Sequence, residues 1–218
     1  MVSASAEPWL DEVSVASVLC APDPDCLVSV EQQTIELDFG GVLGDRHHGL
    51  TRPSDSRQLR HYPRGTMIRN RRQLTLVSVE EMREIAERLG VPYLEPGWLG
   101  ANLLVSGVQD LSALPIGTRL LLAGGAGLVC EGNNRPCRQP GEVIQQQFPW
   151  SRVQAEFVKA AYGRRGIAAS VECPAPIEAG ESLTVVLPEA HATPPRLRVA
   201  GSGRRRSAGQ MADAPSLR

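Results

Sequence analysis

The sequence predicts a mainly β protein, a β-barrel with a few peripheral helices and a disordered C-terminal tail. Three observations carry this reading. Short β-type runs recur along the chain: VSVASVL, TIELDF, QLTLVSV, NLLVSG, TRLLLAG, GLVCEG, GIAASVE and SLTVVLP. The 21 glycines and 17 prolines punctuate those runs, as turns do in barrels and sandwiches rather than in parallel α/β sheets. From about Glu189 onward, HATPPRLRVAGSGRRRSAGQMADAPSLR lacks periodicity and is nearly free of bulky apolar groups, so it has nothing with which to build a core.

Two helices interrupt the strands. In SVEEMREIAERLGVP, Ser78 and Glu81 have the spacing of a capping box, Met82, Ile85, Ala86 and Leu89 form an apolar stripe, and Gly90 then Pro92 end it. A second helix is expected in SRVQAEFVKAAYG, from Ser151, with Gln154 as its capping-box partner, to Gly163; its stripe of Val153, Phe157 and Ala161 is read as core packing.

At 218 residues and 42% hydrophobic, the chain is long enough for one sizeable core, placed at residues 13–188, with residues 1–12 as an N-terminal extension and 189–218 as the tail. A formal net charge of −1 gives no global pull toward nucleic acid or anionic membrane. Lys159 is the one lysine, so arginine supplies nearly all the positive charge and arginine richness alone argues for nothing. The N-terminus shows no signal-peptide pattern, and no segment reaches the roughly 18 apolar residues of a membrane span, so a cytoplasmic location is expected. Cys20, Cys26, Cys130, Cys137 and Cys173 make an odd set without a CxxC pair, which matches neither a disulfide framework nor a structural zinc site.

Three stretches hold groups that carry chemistry. GGVLGDRHHG packs Asp45, Arg46, His47 and His48 between Gly44 and Gly49, a tight turn in which backbone can approach a ligand; adjacent histidines on extended chain point to opposite faces and do not share one metal. TRPSDSRQLRHYPRGTMIRNRR holds seven arginines against Asp55 alone. Arginine suits bidentate capture of phosphate, but a mobile, solvated loop accounts for most of this stretch, with Arg71 and Arg72 held where they adjoin the strand QLTLVSV. EGNNRPCRQPG places Cys137 between Arg135 and Arg138 in a loop restricted by Pro136 and Pro140, and flanking cations favour a thiolate. Cys130, in an apolar strand, and Cys173, before Pro174, lack such neighbours.

Taken in order, GVLGDRHHG, RRQLTLVSVEEM, PGWLGANLLVSGV, LPIGTRLLLAGGAGL, RPC and RRGIAASVECPAPIEAGESLTV resemble the MOSC domain, the module at the C-terminus of molybdenum-cofactor sulfurases that also occurs as stand-alone proteins. The resemblance runs from about Val13 to Leu187. It implies a β-barrel with peripheral helices and assigns the family's cysteine, held to carry a persulfide or to coordinate molybdenum, to Cys137. By the same motifs it assigns the family's Gly-Asp-Arg-His turn to Gly44, Asp45, Arg46 and His47, its Gly-x-Asn-Leu turn to Gly100, Asn102 and Leu103, and its late Arg-Gly to Arg165 and Gly166. Many members have glutamate where this chain has Ala101, and the arginine-rich insertion has no counterpart in the pattern. Pyridoxal phosphate, the cofactor of the larger sulfurases, is not expected here, because Lys159 lies in an amphipathic helix away from the glycine-rich turns.

Three functions remain. The first is a molybdenum-cofactor enzyme resembling stand-alone members that reduce N-hydroxylated compounds, with Cys137 ligating the metal and arginines, Arg72, Arg135 and Arg165 among them, holding pterin phosphate. The second is a non-redox carrier passing sulfur from Cys137 to a metallo-cofactor, served by a sulfur donor or redox protein. Nucleic-acid binding through the arginine-rich loop is the third; near-neutral charge and few aromatics argue against it.

Overall fold

The computed structural model describes residues 13–189. The expected N-terminal extension and nearly all of the expected tail lie outside the described residues. In chain order the strands are β1 (Ser14–Cys20), β2 (Val30–Gln32), β3 (Thr34–Ile35), β4 (Leu37–Asp38), β5 (Gly41–Val42), β6 (Thr51–Pro53), β7 (Met67–Arg69), β8 (Leu74–Ser78), β9 (Leu103–Ser106), β10 (Arg119–Leu122), β11 (Gly127–Asn133), β12 (Ile167–Cys173), β13 (Ile177–Glu178) and β14 (Leu183–Val186). The helices are α1 (Val79–Leu89), α2 (Arg138–Gln147) and α3 (Val153–Ala160). No helix among the described residues is long and apolar enough to cross a membrane.

Eight strands form the main sheet in the order β14-β10-β11-β12-β8-β9-β1-β2. Its two flanks approach each other: Ser14 and Ser182 form an antiparallel bridge, Leu183 N–H donates to Val13 O at 2.8 Å and Val15 N–H to Glu181 O at 2.9 Å. Gly180 N–H also donates to Val15 O at 2.7 Å, but among the described residues no continuous ladder closes the seam, so the expected barrel is realised as a mixed sheet. Pairing is antiparallel except between β8 and β9, which run parallel because α1 and the 3₁₀ turn Pro96–Leu99 carry the chain back across the sheet. Val15, Val18, Leu76, Leu103, Leu120, Leu128 and Ile167 fill the interior. A second apolar layer, with Ile85, Leu99, Ile144 and Phe157, joins the helices to the sheet.

Helix α1 begins and ends where the sequence places it. Glu81 N–H donates to Ser78 Oγ at 3.2 Å, and Gly90 caps the end at φ 66°. The Glu81 carboxylate does not complete a capping box; it turns inward, fully buried, to accept from Ser112 N–H and Oγ, both at 2.8 Å. Helix α3 is shorter than the sequence suggests and has no capping box at Ser151. That hydroxyl donates to Phe148 O at 2.7 Å, and Gln154 N–H is taken by Gln145 Oε1 at 3.2 Å. Helix α2 is absent from the sequence reading. Pro140 falls in its first turn, where a missing N–H costs nothing, and Gly141 admits α3, since a Cβ there would come within 2.9 Å of Phe157 Cβ.

The arginine-rich stretch is ordered, which corrects the expectation of a mobile loop. β6 and β7 pair as a hairpin, Asp55 Oδ1 accepts Arg57 N–H at 2.7 Å, Gln58 Oε1 accepts Asp55 N–H at 3.0 Å, and Ser54 Oγ donates to Pro63 O at 2.7 Å. Side-chain to backbone bonds of this kind replace the apolar packing that the segment lacks.

Candidate functional site

Loops meet at one end of the sheet, from the turn after β5, the starts of β8, β9 and β12, and the end of β11. They enclose a cleft of about 420 Å³ lined by Arg46, His47, His48, Arg52, Asp55, Arg57, Arg72, Gly100, Asn134, Arg135, Cys137 and Arg165, with Leu27 and Leu99 among its apolar walls. Six guanidiniums therefore face one space against the carboxylate of Asp55.

Asp45 fixes the first loop from beneath. Its buried carboxylate accepts Ala21 N–H at 2.9 Å, His47 N–H at 2.8 Å, His47 Nδ1 at 3.1 Å and Asn102 Nδ2 at 2.8 Å. Burial alone would raise its pKa. The His47, Ala21 and Asn102 hydrogen bonds outweigh burial and hold it below the ordinary value of 3.8. Asn102 ties this loop to the sheet: its Oδ1 accepts Thr75 N–H at 3.0 Å and its carbonyl accepts Leu19 N–H at 2.8 Å. Asp45, Asn102 and Gly44 thus support the cleft without lining it, whereas Arg46, His47, Gly100, Arg72, Arg135, Arg165 and Cys137 line it. The two histidines diverge, His47 to Asp45 and His48 to Asp38 at 2.8 Å. Ala101 is fully buried.

Arg165 is the most unusual group in the cleft. Its side chain is buried, Nη2 donates to Leu99 O, and Nη1 has no partner. Arg52 Nε is likewise buried and unpartnered. Desolvation, with the charges of Arg72 and Arg57, pushes the Arg165 pKa down to about 10 despite the opposing pull of Cys137. Arg72, which donates to Asn134 Oδ1 at 2.6 Å, is also pushed down to about 10, by burial first and then by Arg57 and Arg52. Buried cations short of partners are costly, and an anion in the cleft would relieve that cost.

Cys137 is the N-cap residue of α2, half-buried, and its side chain makes no capping bond. It therefore meets the ligand-facing end of a helix, where orphan N–H groups and the macrodipole favour negative charge. None of the five cysteines is in a disulfide. The arginines that share its cleft are Arg46, Arg52, Arg57, Arg72, Arg135 and Arg165. Arg138, expected to flank the thiol, lines a separate cleft with Gln145 and Arg152, because the helix turns it away. Arg71 points elsewhere too, to Glu131 at 3.6 Å.

Residues that sequence reading passed over complete the frame. Asn134 N–H donates to Gly166 O at 2.9 Å, and Gly166 N–H donates to Ser112 Oγ at 2.7 Å, so the buried Glu81–Ser112 pair steadies the Arg165-Gly166 turn. Asn70 Nδ2 donates to His47 O at 2.7 Å and Gly49 O at 3.0 Å, joining the hairpin to the histidine turn. Asn134 stands within the Cys137 motif and was legible there; Arg52 and Arg57 were visible only as members of a charge run.

This sheet carries a half-buried thiol at a helix N-terminus in an arginine-lined cleft, and the MOSC domain family model matches residues 46–184: the chain belongs to that family. It is 43% identical over 178 residues to the protein named putative metal-sulfur cluster biosynthesis proteins YuaD of Bacillus subtilis, covering 81% of this chain and 92% of that one. The crystal structure of the Bacillus subtilis YUAD protein superposes with a TM-score of 0.79 at 40% identity, over 83% of this chain and 98% of the other. YiiM from Geobacillus stearothermophilus, at 14% identity over 80% of this chain and 75% of its own, shares the fold with a TM-score of 0.56.

Proposed function

We propose that this protein works in metal–sulfur chemistry, with Cys137 as the thiolate that holds sulfur in the arginine-lined cleft for delivery to a metallo-cofactor. The observation that carries the reading is the coincidence, in one cleft, of the Cys137 thiol at the α2 N-terminus and the buried Arg165 guanidinium, whose Nη1 has no partner. A persulfide is anionic, and the α2 N-terminus and the cleft arginines offer an anion there charge of the opposite sign. The printed name of the Bacillus subtilis relative points the same way and moves the carrier reading ahead of the reductase reading.

The molybdenum cofactor that the family implies fits the residues present. Among the described residues no group of three His, Cys, Asp or Glu side chains could hold a bare metal ion, so a metal here would have to arrive with ligands of its own, as a pterin dithiolene provides. Cys137 would supply one soft sulfur ligand, and Arg165, Arg72 and Arg52 would bind the phosphate. When bound, the cofactor would supply two-electron redox chemistry. His47, oriented through Nδ1 by Asp45, lines the same cleft. Residence in the cytoplasm accords with a reduced thiol.

The test is sulfur loading from polysulfide, read by cyanide release of sulfane sulfur, together with molybdenum and pterin analysis of protein from a cofactor-producing host. The carrier reading expects about one sulfur per chain, lost in Cys137→Ala. Molybdenum and pterin at about one per chain with no sulfane sulfur would instead establish the cofactor reading.

A further inference from the structure

We infer that Cys137 takes its sulfur directly from a small anionic donor of the thiosulfate class, a sulfane sulfur carried on a tetrahedral oxyanion; this rests on the carrier reading above. The step balances without any other reagent. The Cys137 thiolate attacks the outer sulfur of thiosulfate, a new S–S bond forms to Cys137, the donor's S–S bond breaks, and its electron pair leaves with sulfite. The cysteine becomes a persulfide anion, and total charge is unchanged.

Two features of the cleft suit this donor. A thiolate and a dianion repel in water, so their reaction needs a site in which positive charge already outweighs negative. Here Arg46, Arg52, Arg57, Arg72, Arg135 and Arg165 face the space with Asp55. Asp55 is itself bound to Arg52 at 3.2 Å and Arg57 at 3.0 Å, leaving most of that positive charge uncompensated. Secondly, two of the cleft arginines hold N–H donors without partners. Arg165 Nη1 and Arg52 Nε are buried without partners, and guanidinium N–H groups match the O–X–O edge of a tetrahedral oxyanion. As the S–S bond breaks, charge grows on the sulfite oxygens, where fixed guanidiniums bind it more tightly than in the ground state. Arginine also outlasts alternatives in this role, since its charge persists even with its pKa pushed down to about 10.

Inorganic phosphate shares the tetrahedral shape and charge, and the experiment separates it from a sulfur donor. The full chain is incubated with thiosulfate, sulfite release is measured, and intact and peptide masses report sulfur on each cysteine. A low-molecular-weight organic persulfide serves as a parallel donor without an oxyanion. The expected result is one sulfite per Cys137 persulfide, none in Cys137→Ala. Arg165→Met and, on the surface hairpin, Arg57→Ala should each slow loading from thiosulfate by about tenfold or more, the scale of one lost charge-assisted bond, and slow it more than they slow loading from the organic persulfide. Loading by the organic persulfide but not by thiosulfate would overturn this inference and leave the carrier reading standing. Loading by neither would overturn both. Equal thiosulfate rates in wild type and both arginine variants would also refute it, as would protection of Cys137 from alkylation by phosphate and thiosulfate alike with no sulfite released.

Discussion

Replacing Asp45 with Asn removes one charge and almost no volume, and so tests whether the buried carboxylate holds the cleft together. Oδ1 takes two His47 donors and Oδ2 takes Ala21 N–H and Asn102 Nδ2. An amide has one acceptor oxygen, so in either orientation its NH₂ faces at least one N–H of the frame. A buried donor left unpaired costs about 1–3 kcal/mol, and at about 2–4 °C per kcal/mol for a chain of this size a central value of about 2 kcal/mol lowers Tm by about 4–8 °C. The pH dependence has a defined sign. The folded-state pKa of Asp45 lies below 3.8, so its contribution is present above the unfolded value and is lost as pH falls through the folded one. Thermal unfolding of wild type and Asp45→Asn from neutral to acid pH should show a gap that closes below pH 3.8. Equal Tm at neutral pH, or a gap that stays constant into acid, would refute the assignment of that carboxylate.

Other consequences are open to simple measurements. In limited alkylation read by peptide mass, Cys137 should react before the more exposed Cys173, because only Cys137 combines a helix N-terminus with neighbouring guanidiniums; Cys173 reacting first would contradict this. Arg165→Met should leave stability in anion-free buffer unchanged or raised by about 1 kcal/mol, since a desolvated cation short of partners is removed, while the stabilisation of wild type by added sulfate disappears; a Tm loss with sulfate stabilisation retained would argue that Arg165 is only a structural post. Gly166→Ala places a Cβ on the Leu76 carbonyl at φ 75°, so a loss of about 3 kcal/mol or more is expected, and a Tm within about 2 °C of wild type, less than 1 kcal/mol at this size, would show that the backbone yields there.

Much of the fold is written locally. Helix α1 is legible because Ser78, the Met82-Ile85-Ala86-Leu89 stripe and Gly90 agree with one another, and all eight β-type runs contain strands of the structure. Where local signals are weak or conflict, tertiary contacts decide. Pro140 and Gly141 hide α2 from a propensity reading, although the first places itself in the opening turn and the second makes room for Phe157. The parallel β8–β9 pair follows from the strand-helix-strand order around α1, which short antiparallel-looking runs obscured. The hairpin β6–β7 depends on Asp55, Ser54 and Gln58 bonding to nearby backbone, which composition does not reveal. The site divides in the same way. Cys137 and the Gly-Asp-Arg-His turn stand out as motifs, but the unpartnered Nη1 of Arg165, the outward turn of Arg138 and the place of Asn102 beneath the cleft arise from packing between segments distant in sequence.

The central claim is that Cys137 is the thiol on which this protein carries sulfur. Peptide-resolved mass spectrometry of the protein, loaded with polysulfide and trapped by an alkylating agent, tests it across all five cysteines. The account predicts one added sulfur on the Cys137 peptide, with the other four unmodified and Cys137→Ala empty. Added sulfur on Cys173 or Cys26 in preference to Cys137, or retained in full by Cys137→Ala, would contradict it.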